Sequence, residues 1–252
     1  MLTFTKKYWK TLLFFVVIGL FGGFFTGLYM LDTYPAEIRQ QILDQGINDI
    51  LLGIVTAVQT AGYALILGFI GIWIAKEIGL WKDERSITFK PLRIAIVVSI
   101  FAGAALILPD FLFFGQYSEA IMNSYAVKPT IPYLLATITY GAVVEEVMLR
   151  LFLMSLISWI LHKLLGKKQE KPTTLILIVS NIITSLVFAA LHLPATAILL
   201  GLTPMIVFRC FLFNGALGLL FGRLYRKYGL RYAMIAHGGC HIVSKLIWIL
   251  FI

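Results

Sequence analysis

Long apolar segments separated by short polar connections set the pattern of this 252-residue chain. A transmembrane helix needs about 20 predominantly apolar residues to cross the hydrocarbon core of a bilayer. Seven segments meet that length, at roughly 11–31, 49–75, 94–114, 131–161, 173–192, 204–222 and 232–252. No repeat of 20–50 residues and no low-complexity tract interrupts them. The pattern predicts an all-α fold, a polytopic membrane helical bundle with about seven transmembrane helices and at most eight.

Composition strengthens the membrane assignment. The chain is 60% hydrophobic and 13% charged, whereas soluble domains carry about 25% charged residues. A net charge of +9 would suggest nucleic acid as the partner of a soluble protein. Here most of the Lys and Arg residues fall in alternate connections, at the first ten residues, 76–93, 162–172 and 223–231. The positive-inside rule then predicts a multi-pass protein of the cell membrane with a cytoplasmic N-terminus. The partner predicted from the charge is the lipid bilayer, and no nucleic acid is expected.

Charged residues inside the apolar segments are rare, and three of them cluster in the stretch GAVVEEVMLRLF, residues 141–152. Intramembrane charges are costly and by default mark a functional site. Glu146 and Arg150 are four residues apart and share one helix face, while Glu145 points about 100° away. Two carboxylates therefore face one arginine, and the residual negative charge must be met by a proton, an imidazolium or a metal. The alternative interpretation is a buried ion-pair cluster that only fixes helix packing.

Three histidines also lie in apolar segments. His237 and His241 are four residues apart, so both side chains can point at one spot. His192 closes the fifth segment two residues before Pro194, and the uncharged residues 195–203 that follow are predicted to be a connection that lines a cavity or re-enters the membrane. Because unpaired polar groups in hydrocarbon cost several kcal/mol each, we expect these histidines to converge with the charged cluster.

The chemistry of this set favours hydrolysis. A carboxylate beside a neutral imidazole holds and deprotonates a water molecule, and further imidazoles donate hydrogen bonds to a developing oxyanion. The same side chains also suit a zinc site with an open position for water. Whether a metal or any other cofactor is bound therefore stays open, and the candidate ligands are Glu145, His192, His237 and His241. Neither a nucleophilic serine elbow nor a reactive cysteine motif competes with this interpretation.

The motifs resemble those of a known family. Their order along successive late helices is similar to that of the intramembrane proteases of the CAAX-processing and bacteriocin-processing type (CPBP, or Abi), which include the type II CAAX prenyl endopeptidases. The motifs are Glu145-Glu146-x-x-x-Arg150, Phe188-x-x-x-His192, Asn214 with Gly218-x-x-x-Gly222-x-Leu-Tyr225, and His237-x-x-x-His241. The resemblance covers roughly residues 130–245. It divides the membrane domain into N-terminal transmembrane helices, residues 1–130, and a CPBP-like catalytic helical core, residues 131–252.

The resemblance also implies roles for the site residues. Glu145 with His192 would activate the attacking water, and Glu146 with Arg150 would position that pair. His237 would stabilise the tetrahedral intermediate. The family usually has asparagine at the position of His241, so this chain departs from its pattern there.

Two functions follow as hypotheses. The favoured one is an intramembrane endopeptidase that hydrolyses a membrane-associated peptide or protein, such as a prenylated tail, a bacteriocin or pheromone leader, or a lipoprotein fragment. The alternative is a non-proteolytic membrane scaffold that regulates a partner membrane protein. It is motivated by His241 and by small-residue faces at Gly19, Gly23 and Gly27 and at Gly218 and Gly222, where other helices can approach closely.

Overall fold

The computed structural model describes residues 2–83, 87–166 and 169–252, so the loop residues Arg85, Lys167 and Lys168 counted above lie outside it. All regular structure in these ranges is helical, which confirms the predicted all-α bundle. The α-helices are α1 (Leu2–Thr33), α2 (Ala36–Asp44), α3 (Asp49–Glu77), α4 (Phe89–Leu112), α5 (Glu119–Tyr125), α6 (Ile131–Ala136), α7 (Ser155–Leu165), α8 (Thr174–Leu191), α9 (Leu193–Leu200), α10 (Pro204–Cys210), α11 (Ala216–Tyr228) and α12 (Leu230–Phe251). A 3₁₀ turn, Phe114–Tyr117, precedes α5.

Helical segments of membrane-spanning length dominate the bundle. In the described ranges, six are long and apolar enough to cross a membrane: Lys6–Thr33, Asp49–Glu77, Phe89–Tyr117, Thr174–Leu200, Pro204–Tyr228 and Leu230–Phe251. The remaining predicted segment, 131–161, forms an unbroken helical run from Ile131 to Leu165 that carries the three clustered charges. The chain is thus a multi-pass membrane protein, as the hydropathy pattern predicts.

The connection predicted at 195–203 is largely helical. Pro194 lies in the first turn of α9, where proline is tolerated because the N–H it lacks would have no intrahelical partner. The chain therefore resumes a helix directly after His192 and ends it at Gly201, which has a φ of +73°. The predicted end of the fifth segment at His192 agrees with the end of α8 at Leu191. The helix that follows was not predicted, because Pro194 starts a helix instead of preventing one.

Helices α1 and α3 pack at very close range. The glycines predicted as a small-residue face all point at α3: Gly19 at Ala61, Gly23 at Thr56 and Thr60, and Gly27 at Gly53. A Cβ at Gly27 would come within 2.6 Å of the Gly53 Cα. This face is therefore filled within the chain.

The four basic connections meet at one end of the bundle. Their contacts include Lys7 Nζ to Asp83 Oδ2 at 2.8 Å, Lys163 Nζ to Glu77 Oε1 at 3.1 Å, and Gly229 against the Lys82 side chain. Hydrogen bonds from Lys7 and Trp81 hold the pKa of the Asp83 carboxyl below its ordinary value. Positive charge is thus concentrated on one surface, as expected for the side of a membrane protein that faces the cytoplasm.

The α1–α3 contact gives the first prediction. We expect Gly27→Ala to lower the free energy of unfolding by about 1–3 kcal/mol, because overpacking against backbone forces the helices apart. The matched control is Gly62→Ala in α3, since a Cβ at Gly62 meets nothing within 4 Å and alanine favours helix. Thermal melting in detergent compares them, and equal melting temperatures would contradict the close approach.

Candidate active site

The helix that carries the charged cluster has an unusual backbone. Thr137–Glu145 and Val147–Met154 are π-helical, and Glu146 lies between them. π-Helical geometry, with i→i+5 hydrogen bonds, is rare and often found at functional sites. The 100° spacing used to assign side-chain directions from the sequence therefore does not apply strictly here, and the contacts must be taken from the structure.

The predicted Glu146–Arg150 ion pair is present and buried. Arg150 Nη1 lies 3.1 Å from Glu146 Oε1, and the two side chains are 1% and 0% exposed. Arg150 Nη2 also donates to the Gly218 carbonyl at 3.3 Å. The guanidinium lies over the ring of Phe188, at 4.6 Å from the ring centroid. A pair this deeply enclosed is held in one geometry by its surroundings.

His237 extends the pair into a chain of three. Its Nδ1 lies 2.9 Å from Glu146 Oε1, and because an ionised carboxylate only accepts, the imidazole is the donor. The ring is stacked between Phe221, at a centroid distance of 4.6 Å, and His241, at 4.9 Å. Its position and its hydrogen on Nδ1 are thereby fixed, and the other ring nitrogen, Nε2, points towards the second glutamate.

Glu145 has a different environment from its neighbour. Its side chain is 19% exposed, and Oε2 lies 3.9 Å from His237 Nε2. In the described part of the chain no hydrogen bond reaches this carboxylate. That distance is too long for a direct hydrogen bond, yet both atoms can bind one water molecule that lies off the line between them. Glu145 is thus the carboxylate at the accessible side of the cluster.

His192 reaches the site through an aromatic ring. Its Nδ1 lies 2.8 Å from the Phe188 carbonyl oxygen, which as an acceptor fixes the hydrogen on Nδ1 and leaves Nε2 as an acceptor. The Phe188 ring in turn contacts His192, His237 and Arg150. Among the described residues no hydrogen bond or ion pair joins His192 to Glu145, so the structure brings His237 closer to Glu145 than the predicted partner.

His241 occupies a position that a glycine makes possible. A Cβ at Gly141 would come within 2.9 Å of His241 Nε2, so this glycine admits the imidazole against the backbone of the charged helix. His241 Nδ1 is buried and has no hydrogen-bond partner. In ranges 2–83, 87–166 and 169–252 no three His, Cys, Asp or Glu side chains come together as a metal site.

A second buried ion pair escaped prediction. Arg209 Nε donates to Asp110 Oδ1 at 2.6 Å, and Arg209 Nη2 contacts Oδ2 of the same carboxylate. The Tyr125 hydroxyl donates to Asp110 Oδ2 at 2.6 Å. Asp110 is fully buried, and this network ties α4, α5 and α10 together. The available signal was that Asp110 is a lone acid within an apolar segment.

Comparison with known proteins agrees with the motifs. Residues 127–243 match the family described as type II CAAX prenyl endopeptidase, Rce1-like, which confirms the predicted family. Neither the curated proteins nor the solved structures give a significant match. The matched segment contains all six predicted site residues: Glu145, Glu146, Arg150, His192, His237 and His241.

The two glutamates and the arginine give a prediction that separates stability from chemistry. We expect Arg150→Ala to cost about 3–5 kcal/mol of unfolding free energy, because it leaves Glu146 buried and uncompensated. Glu145→Gln should change stability by less than about 1 kcal/mol, because that carboxylate is partly exposed and its contact with His237 Nε2, at 3.9 Å, is long.

Thermal melting in detergent measures both variants. The control is Arg39→Ala, whose side chain is 44% exposed and 3.9 Å from Asp32, so its loss should be nearly neutral. If Arg150→Ala melts like wild type while Glu145→Gln melts at a much lower temperature, the assignment is reversed, and Glu145 is the structural glutamate.

Proposed function

We propose that the chain is an endopeptidase that hydrolyses a membrane-associated peptide, with prenylated peptide tails as its substrate class. The match of residues 127–243 to a family of CAAX-type intramembrane proteases supports this proposal. The observation that carries the proposal is the row Glu145–His237–Glu146, which is enclosed at Glu146 and accessible at Glu145. Oε1 of Glu146 lies 2.9 Å and Oε2 of Glu145 lies 3.9 Å from opposite nitrogens of one imidazole. Such a row holds and moves a proton inside an otherwise apolar bundle.

Charge balance supports this use. Glu145, Glu146 and Arg150 together carry one net negative charge when ionised, and a buried cluster is most stable when its charges are compensated. One additional proton makes the cluster neutral. Because Glu146 is occupied by Arg150 and by His237 Nδ1, we place that proton on His237 Nε2, which leaves Glu145 ionised. The cluster is then ready to accept one proton and to return it.

Hydrolysis follows from this arrangement. A water molecule held by Glu145 Oε2 loses a proton to the carboxylate as its oxygen attacks the peptide carbonyl carbon. The resulting oxyanion is stabilised by imidazole N–H groups on α12. The proton then passes to the amine that leaves when the C–N bond breaks. Glu146 and Arg150 act as positioning residues, since they hold His237 and do not face the accessible side.

His192 and His241 complete the proposal. With its hydrogen directed to the Phe188 carbonyl, His192 has an acceptor free to hold the attacking water next to Glu145. His241 takes the place of the family's asparagine, and both side chains can donate an N–H to an oxyanion. The orientation proposed for the chain places the basic end, with the N-terminus, on the cytoplasmic side of the cell membrane.

The proposal predicts that Glu145→Gln abolishes cleavage. A glutamine amide keeps the volume of glutamate but cannot take a proton, so we expect cleavage of a farnesylated CAAX peptide by purified protein in detergent to fall by at least about 100-fold. Glu119→Gln, an exposed acid in the first turn of α5, is the matched control and should cleave like wild type. Undiminished cleavage by Glu145→Gln would remove the proposed base.

The departure at His241 gives a second prediction. His241→Asn should retain cleavage within about tenfold of wild type, because the amide restores a donor at the family's position. His241→Leu should lose about 100-fold or more, the usual cost of removing one oxyanion donor. The turnover rate with the same peptide measures both. Equal losses in the two variants would show that the position matters for packing and not for hydrogen bonding.

A further inference from the structure

A third buried cation lies on the same helix as the two site histidines. Lys245 of α12 is 7% exposed and follows His241 by four residues and His237 by eight. Its Nζ lies over the rings of Tyr133 and Trp248, at 4.8 and 5.9 Å from their centroids. Among the described residues no acid forms an ion pair with it and no hydrogen bond uses its three N–H donors.

We propose that Lys245 binds the C-terminal carboxylate of the peptide substrate, an inference that rests on the proposed function and adds a specificity-determining residue to it. Buried charges in proteins are normally paired. The other two cations inside the bundle obey this rule, since Arg150 pairs with Glu146 and Arg209 with Asp110. Lys245 is the exception in the described part of the chain, and a ligand carboxylate would supply the missing partner.

The surroundings of Lys245 suit the reversible binding of an anion. Aromatic faces stabilise a cation but satisfy none of its hydrogen-bond donors. The Nζ atom is not among the enclosed polar atoms that lack a partner, so part of its surface remains open to an incoming group. Lys128 also lies near this end of α12, but its ammonium group already donates hydrogen bonds to the carbonyls of Trp248 and Ile249.

Distance along the helix relates Lys245 to the chemistry. A rise of about 1.5 Å per residue places Lys245 about 6 Å beyond His241 and about 12 Å beyond His237 along the axis of α12. An extended peptide covers about 3.3–3.6 Å per residue. A carboxylate held at Lys245 therefore lies three to four residues from a scissile bond at His237. This spacing favours the terminal carboxylate of a short tail over an acidic side chain at an arbitrary position.

Binding and cleavage test the inference separately. The ligand is a fluorescent farnesylated CAAX peptide made with either a free C-terminal acid or a C-terminal amide, and fluorescence anisotropy measures its affinity for the uncleaving Glu145→Gln protein in detergent. We expect the acid peptide to bind at least about tenfold more tightly, as for one charge-assisted contact. Adding Lys245→Met should reduce the ratio of the two affinities to within about twofold. Lys245→Gln replaces it if that variant has a melting temperature closer to that of the parent protein.

Lys128→Met in the same Glu145→Gln background is the matched control, since it removes a nearby positive charge and should keep the tenfold ratio. No preference in the parent protein, or a preference that survives loss of Lys245, would overturn the inference. If Lys128→Met loses the affinity ratio equally, the acid preference comes from general electrostatics, and the inference is also overturned. If the acid peptide binds selectively but the wild-type protein does not cleave it, only the proposed function is contradicted. If the wild-type protein cleaves the peptide but shows no preference for the acid, only the Lys245 site is contradicted.

Discussion

The burial of Arg150 between Glu146 and two aromatic rings is the constraint on which the core of this bundle depends. An arginine at this depth must find its partners within the protein, and each partner comes from a different helix. The Gly218 carbonyl brings in α11, the Phe188 ring brings in α8, and His237, held through Glu146, brings in α12. Apolar packing is non-directional, whereas these polar contacts fix how the three helices face the charged cluster.

The N-terminal helices α1 and α3 pack against the helix that carries the charged cluster. Helix α3 presents glycines to the π-helical run: a Cβ at Gly71 would come within 2.8 Å of the Leu151 side chain, and Gly68 lies against Phe15 and Val147. The glycine face of α1 is in turn filled by α3. A scaffold function would need such a face to be open to a partner helix, and within the described residues this one is already covered. Gly218 and Gly222 of α11 likewise lie against Ser185 and Asn181 of α8. Both small-residue faces are therefore covered within the described residues, and His241 remains as the motive for the scaffold hypothesis.

Much of this arrangement could be predicted from the sequence, for identifiable reasons. Hydropathy located the helices, and the four-residue spacing predicted the contacts of Glu146 with Arg150 and of His237 with His241, because these depend on local geometry. The hydrogen bond between Glu146 and His237 could not be predicted, since it depends on how two distant helices pack and on a π-helical backbone that no pattern in the sequence indicated. For the same reason Asp110 could not be assigned to Arg209. His192 was expected to pair with Glu145, whereas the contact with the cluster is made by the ring of Phe188, one turn earlier on α8.

Two adjacent glutamates illustrate how the fold gives like residues unlike tasks. Glu146 is enclosed, and its Oε1 oxygen contacts both a guanidinium and an imidazole. Glu145, on the far side of His237, keeps 19% of its side-chain surface and accepts no hydrogen bond from the described residues. A carboxylate oxygen that already contacts two donors is a poorer base, because each partner stabilises the ionised form. The proposed proton transfer is therefore assigned to Glu145, and the imidazole between the two carboxylates connects it to Glu146.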